Sequence, residues 1–325
     1  MKKLTEIDVD LYKKKTKRIL FGKQLGEGLV AKIVVYFLLI TLSFIFIYPL
    51  LYMFSTSLKN IDDLLDTSVV WIPREIFIEN YRTAAKVLNL PTKFKEFFQF
   101  NTLYKTFIVV GAPALASTVA CCLIGYGLSR FNFPLKKMWL VLMIFIFIVP
   151  QQIILLPQFV WFKKIGILGK IWSYILPALG GQGLNATVFI LIFYSFFNMI
   201  PKSLDEAAYL DGANEVQVFT KVGLRLSFQP VLIVFIFNIV WYWNDFYRAS
   251  YFLTGSKWTT LPLELTKFEN RFLAMTEGLE SQIKNIYEPL IMAGTILTIL
   301  PIIIFYFFLQ RYFVESVDRT GITGE

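Results

Sequence analysis

The 325-residue chain has no histidine and only two cysteines, Cys121 and Cys122, side by side in an apolar run. Without imidazole, zinc and haem sites of the usual kinds are excluded, and so are catalytic triads and acid–base pairs built on histidine. Two adjacent thiols make no disulfide scaffold. Charge is also scarce. Asp, Glu, Lys and Arg make up 17% of the residues, where a soluble domain carries about 25%. The spacing G-x-x-x-x-G-K-[ST] is missing. The stretch from Gly166 to Lys170 comes nearest and is wrongly spaced, so the chain has no loop to cradle ATP phosphates in that way. No cleavable signal peptide is evident, because the first apolar run starts near Val30 and has the length of an uncleaved anchor.

What fills the sequence is apolar surface. Hydrophobic residues account for 56%, including 33 Phe. A large buried all-helical core is a poor outlet for so much of it, and lipid is the expected solvent. Six runs are long enough to cross a bilayer as helices of about 20 residues. They are Ala31–Phe54, Thr106–Leu128, Met138–Leu156, Trp172–Phe197, Pro230–Arg248 and Pro289–Gln310. Pro150 breaks the third near its end, and the fourth contains Gly180-Gly181-Gln182-Gly183. The expected fold class is an all-α, polytopic membrane protein with six transmembrane helices.

Formal net charge is +9. The densest basic cluster, Lys13 to Arg18, lies just before the first span, so an anionic lipid leaflet accounts for it and no nucleic-acid partner is expected. Residues 1–29 carry eight Lys/Arg against four acids, and the loop Ser129–Lys137 carries Arg130, Lys136 and Lys137 with no acid. The positive-inside rule then puts both termini in the cytoplasm. The expected organisation is a basic tail (1–29), a membrane domain (30–314) and a short tail (315–325). The membrane domain has long external segments at 55–105 and 251–288, which either shape the outer mouth, dock a second protein or merely connect.

A cytoplasmic loop, 198–229, has its own structure in this reading. Pro201 ends the fourth span. Ser203 and Glu206 have the S-x-x-E spacing of a capping box. Ala207 and Ala208 favour helix, and Asp211-Gly212 turns the chain before Ala213. A second short helix follows from Asn214 to about Val222, with Val218 and Val222 on one face beside Phe219. Such an elbow either docks a partner or lies on the lipid surface. In the fifth span, Asn238, Trp241, Trp243, Asn244 and Asp245 cluster with Tyr242. Aromatic rings stack on sugar faces and Asn or Asp bond hydroxyls, while Trp and Tyr also form interfacial belts. Asn238, Trp241 and Asn185 of the fourth span are candidates for a substrate path that also takes in Trp243, Asn244 and Asp245. For Asp245, bracing a neighbouring helix is the preferred role.

Glu206-Ala207-Ala208 followed by Asp211-Gly212-Ala213 resembles the EAA loop of bacterial ABC importer permeases. Tyr126-Gly127-Leu128-Ser129-Arg130-Phe131-Asn132-Phe133-Pro134, Ile200-Pro201-Lys202-Ser203-Leu204-Asp205, Trp243-Asn244-Asp245-Phe246, Thr260-Leu261-Pro262 and Gln310-Arg311-Tyr312-Phe313-Val314 extend the likeness to the MalG-like sugar permeases, over about Val30 to Gly324. The chain departs from that pattern at Leu224-Arg225, where the family has Leu-Pro, and in its longer 55–105 segment. The resemblance implies a type I ABC importer permease without catalytic residues, metal or cofactor of its own. It implies ATP and Mg2+ in two partner ATPase subunits, a second homologous permease, an extracellular solute-binding lipoprotein, and an oligosaccharide as cargo. It further implies the bacterial inner membrane as location and Ser203, Glu206, Ala207, Ala208, Asp211, Gly212 and Ala213 as the ATPase-coupling loop. A secondary transporter or channel would need ion-coupling carboxylates, and the spans offer almost none. A non-transporting scaffold is separated from a permease only by a flux assay.

Overall fold

The structure, a computed structural model, describes residue 20, residues 28–275 and residues 287–321; for Phe94, Tyr287 and residues 312–321 it describes only the backbone. The basic cluster Lys13 to Arg18, part of the 251–288 segment and the last residues of the carboxy-terminal tail lie outside it. Among the described residues there is helix and no strand. The chain divides into two compact units, Met1–Phe77 and Ile78–Glu325.

In the first unit, α1 (Leu29–Ser57) is apolar on every side, and Phe46 is 75% exposed. A helix without a polar face needs lipid or other helices around it. A small polar cap follows. Asn60 accepts from the Asp63 amide at 2.8 Å to start α2 (Ile61–Leu65). Lys59 Nζ donates to the Val69 and Val70 carbonyls at 2.6 and 3.0 Å. Arg74 pairs with Asp66, whose carboxyl is pulled down to about 2, chiefly by hydrogen bonds from Ser68 and then from Arg74.

The second unit is organised around α4 (Thr102–Arg130); α3 (Glu79–Val87) precedes it. Asn101 caps α4 by accepting from the Tyr104 amide at 2.9 Å. Thr106, Val110, Ala114, Ser117, Cys121, Gly125 and Ser129 are buried along it at helical spacing. Small side chains let neighbouring helices approach closely, which is how helices associate where lipid removes the hydrophobic drive. Next come α5 (Lys136–Ile148), α6 (Gln151–Lys164), α7 (Trp172–Leu179) and α8 (Ala186–Met199). The elbow holds α9 (Lys202–Leu210), α10 (Glu215–Val218), a π-helical turn (Phe219–Gly223) and α11 (Leu224–Leu226). The chain closes with α12 (Phe228–Trp243), α13 (Phe246–Phe252), α14 (Leu261–Thr266), α15 (Phe268–Met275) and α16 (Tyr287–Gly321).

Helices α1, α4 and α16 are each long and apolar enough to span a membrane, and three bent helix pairs bring the total to six when each pair counts as one span. The break expected at Pro150 is present, and the bounds of the spans are corrected. The third ends at Ile148, and after Val149-Pro150 the chain turns by 98° into α6, so Gln151–Leu156 belong to a different helix. The fourth is interrupted between Leu179 and Ala186, and the fifth stops at Trp243 rather than Arg248. The Thr260-Leu261-Pro262 motif starts α14. Thr260 caps it, and the Leu261 amide donates to Thr106 Oγ1 of α4 at 2.9 Å.

Helices α4 and α8 approach closely at Gly125. A Cβ there would lie 2.5 Å from Phe193 Cβ of α8 and 3.0 Å from the Tyr194 amide nitrogen. At Gly111, on the same helix, a Cβ would meet nothing within 4 Å. Gly125→Ala should therefore cost about 1–3 kcal/mol of overpacking, whereas Gly111→Ala should be neutral or stabilising by up to about 1 kcal/mol. Thermal unfolding of the two variants in the same detergent checks this. Equal midpoints would contradict the close α4–α8 contact.

Candidate functional site

The elbow is built from both ends. Pro201, with φ −57° and ψ 131°, occupies the cap position of α9, and no side chain caps that end. The capping box expected at Ser203 and Glu206 is thus not formed. Ser203 already lies inside the helix, because the fixed φ of proline suits the entry to the helix one step earlier. The box occurs one helix later. Asn214 accepts from the Gln217 amide at 2.9 Å and Gln217 Oε1 accepts from the Asn214 amide at 3.0 Å.

Between these helices, Asp211-Gly212-Ala213 forms a Schellman end. The Ala213 amide donates to the Ala208 carbonyl at 3.0 Å and the Gly212 amide to the Tyr209 carbonyl at 3.0 Å. Gly212 has φ +81°, the left-handed region that a side chain disfavours. Glu206, Ala207, Asp211 and Gly212 are exposed and Ala208 and Ala213 half-buried. Leu204, Tyr209 and Val216 are exposed too, and Leu210 is 90% exposed.

The other side of the elbow is gripped by the last turn of α4. Arg130 Nε lies 2.7 Å from Asp205 Oδ2, and both side chains are about nine-tenths buried. The same guanidinium donates from Nη2 to the Ile200 carbonyl at 3.1 Å. Ser129 Oγ donates to Asn198 Oδ1 at 2.9 Å. One turn earlier, the Tyr126 ring sits 4.8 Å from Phe219 and 5.1 Å from Phe197, centre to centre. A Cβ at Gly223 would come within 3.1 Å of that ring. Helix α4 therefore holds the chain both before and after α9. Asp205 was legible only as part of a motif, and nothing local in the sequence joins it to Arg130.

A cavity of about 370 Å³ lies at the α5–α6 break, the α7–α8 break and the end of α12. Pro150, Gln151 and Gln152 reach it from the α5–α6 break, Gln182 and Asn185 from the α7–α8 break, Trp241 from the end of α12 and Arg248 from α13. Gln158 lines it as well. Asn185, with φ +52°, and Gly181, with φ +69°, shape the turn that opens it. Interrupted membrane helices expose backbone polar groups only where protein or a water-filled cavity receives them.

Of the expected path residues, Asn185 and Trp241 line this cavity and the others do not. Asn238 is fully buried and donates to Thr118 Oγ1 and to the Val234 carbonyl, both at 3.1 Å. Trp243 is buried against Phe107. Asn244 is exposed and donates to the Val240 carbonyl of its own helix at 2.8 Å. Asp245 caps α13 by accepting from the Arg248 amide at 3.1 Å, and accepts from the Tyr174 hydroxyl of α7 at 3.2 Å. The sequence reading missed Gln151, Gln152, Gln158 and Gln182. Their signal was four amides within or just after apolar runs.

A body of bent apolar helices around a half-open, partly polar cavity, with an exposed helix tied to its central helix, has the parts of a membrane transport subunit. Residues 117–319 match the family described as binding-protein-dependent transport system inner membrane component, and the chain belongs to that family. It is a multi-pass inner-membrane transport component. It is 28% identical over 293 residues to a probable starch degradation products transport system permease protein, AmyC, of Thermoanaerobacterium thermosulfurigenes, covering 89% of this chain and 96% of that one. It is 29% identical over 292 residues to the maltodextrin transport system permease protein MalD of Streptococcus pneumoniae, covering 89% and 94%. The fold is shared with a chain from the crystal structure of a bacterial ABC transporter involved in the import of the acidic polysaccharide alginate, with a TM-score of 0.67, 22% identity and coverage of 87% and 96%.

Proposed function

We propose that this chain is the permease subunit of an ATP-binding cassette importer that carries an oligosaccharide into the cytoplasm by alternating access. The observation that carries the reading is the continuity of α4. Its last turn clamps the elbow through Arg130 and Asp205. Its middle, at Ser117, is so close to the α7–α8 break that a Cβ on Gly183 would lie 2.9 Å from Ser117 Oγ. A displacement of α9 is thereby passed to the edge of the cavity by one rigid element, which is what switching between two states requires.

In this reading α9 inserts into a cleft on a cytoplasmic ATPase subunit, with Glu206, Tyr209 and Leu210 on the docking face. Two such subunits supply ATP and Mg2+, a second homologous permease completes the pathway, and an external solute-binding lipoprotein delivers the cargo. Both termini lie in the cytoplasm. The sugar class follows from the named relatives, and Trp241 with Asn185 and the glutamines matches it chemically.

The test is uptake of labelled sugars into proteoliposomes that hold the assembled importer, with ATP inside and the binding protein outside. ATP-dependent accumulation of a short oligosaccharide is expected, with no hydrolysis by the purified chain alone. Accumulation of a peptide or amino acid while no sugar moves would overturn the sugar assignment, and uptake independent of ATP would overturn the importer.

A further inference from the structure

The charge in the cavity points beyond sugar in general. Among the described residues lining it there is one cation, Arg248, and no Asp or Glu. An arginine inside a membrane protein is costly unless paired. No ion pair joins this guanidinium to Asp245 or to any other described acid. Asp245 is near enough to feel the Arg248 charge, though its oxygens accept from the Arg248 backbone amide and from Tyr174 rather than from the guanidinium. Among the described residues, the Arg248 side chain makes one bond, from Nη2 to Gln151 Oε1 at 3.3 Å, and its buried Nε makes none.

Two helices also begin at this cavity. Helices α6 and α8, each of 14 residues, place Gln151 with Gln152 and Ala186 with Thr187 on its wall, and neither start has a side-chain cap. The Ile153, Ala186 and Val188 amides donate to local carbonyls, and the remaining first-turn amides with the positive end of each helix dipole favour an anion. Two helix starts, a guanidinium in no ion pair and a wall free of carboxylates all select the same sign of charge, with Asp245 as the opposing charge just off that wall.

We propose that the cavity receives an anionic sugar, one carrying carboxylate groups as uronic acid residues do, with Arg248 as the carboxylate contact. Trp241 and the amides of Gln152 and Asn185 serve the neutral part of the same molecule. This rests on the sugar-transport reading and narrows its substrate class.

The experiment is equilibrium binding to the whole importer in nanodiscs, without the binding protein. The probes are trigalacturonate, a neutral maltotriose and acetate, and the proteins are the native complex, Arg248→Gln and Arg248→Lys. A charged hydrogen bond predicts roughly tenfold or tighter binding of trigalacturonate over maltotriose. Arg248→Gln should erase that preference, and Arg248→Lys should keep part of it. Equal binding of the two sugars, or a preference that survives in Arg248→Gln, overturns the anionic assignment and leaves sugar transport standing. Acetate binding as tightly as trigalacturonate overturns it too, by showing an anion site that ignores the sugar. If neither sugar binds but both are taken up in the proteoliposome assay, the cavity is not the sugar's route. If neither binds nor is taken up, the sugar reading falls with it.

Discussion

Arg130→Ala is expected to leave an assembled importer that hydrolyses ATP without moving substrate. The substitution strands Asp205, about nine-tenths buried, without its partner. Leaving one member of a buried pair alone costs about 3–5 kcal/mol. The Ile200 carbonyl loses its donor at the same time, and with it the hinge between α8 and α9. The nearest relief is for Asp205 to turn outward, and that rotates α9. Stimulation of ATPase activity by substrate-loaded binding protein should drop to near the basal rate. Arg130→Lys should recover part of it, since an ammonium satisfies the charge but reaches only one of the two acceptors. The double replacement Arg130→Ala with Asp205→Ala should be more stable than Arg130→Ala alone, yet remain uncoupled. Thermal unfolding and stimulated ATPase, measured on the same preparations, separate the two effects. Full stimulation in Arg130→Ala at an unchanged unfolding temperature would show that the pair does not transmit the stroke.

Glu206→Ala is expected to do the opposite: to keep the fold and lose the partner. Glu206 is exposed and takes part in no cap and no ion pair. Its truncation within a helix should change stability by no more than about 0.5 kcal/mol. If its carboxylate receives a charged hydrogen bond from the ATPase, affinity should drop roughly tenfold or more. Recovery of the ATPase subunit on the immobilised permease checks this. The capping role that the S-x-x-E spacing assigned to this residue would instead have made the variant less stable by about 0.5–2 kcal/mol. Unfolding data therefore discriminate between the two roles.

The spans were legible because lipid leaves its mark as uninterrupted apolar length. The elbow was legible in outline because glycine at a helix end and proline at a helix start act locally. The break at Pro150 was legible too, but what sets it apart from the other prolines was not. Pro49, Pro113, Pro157, Pro177 and Pro301 all sit inside helices, yet Pro150 ends one. The difference lies in Val149, which adopts an extended backbone (ψ 122°) of the kind that proline favours in the residue before it. Tertiary packing decides which proline takes that option. That Asn238 and Trp243 lie buried away from the cavity was illegible for a related reason. On a helix that is apolar almost all round, composition does not tell the face toward α4 from the face toward the cavity. The clamp between Arg130 and Asp205 joins residues far apart in sequence, and no periodicity reports such a pair.

The most direct test of the coupling elbow is ATP hydrolysis by the complete importer in proteoliposomes, with and without substrate-loaded binding protein, for the native chain and Glu206→Ala at equal unfolding temperature. The native complex should be stimulated and should accumulate substrate, and the variant should show neither. A Glu206→Ala complex that kept full stimulation and full uptake would reduce α9 to a passive connector and contradict the account.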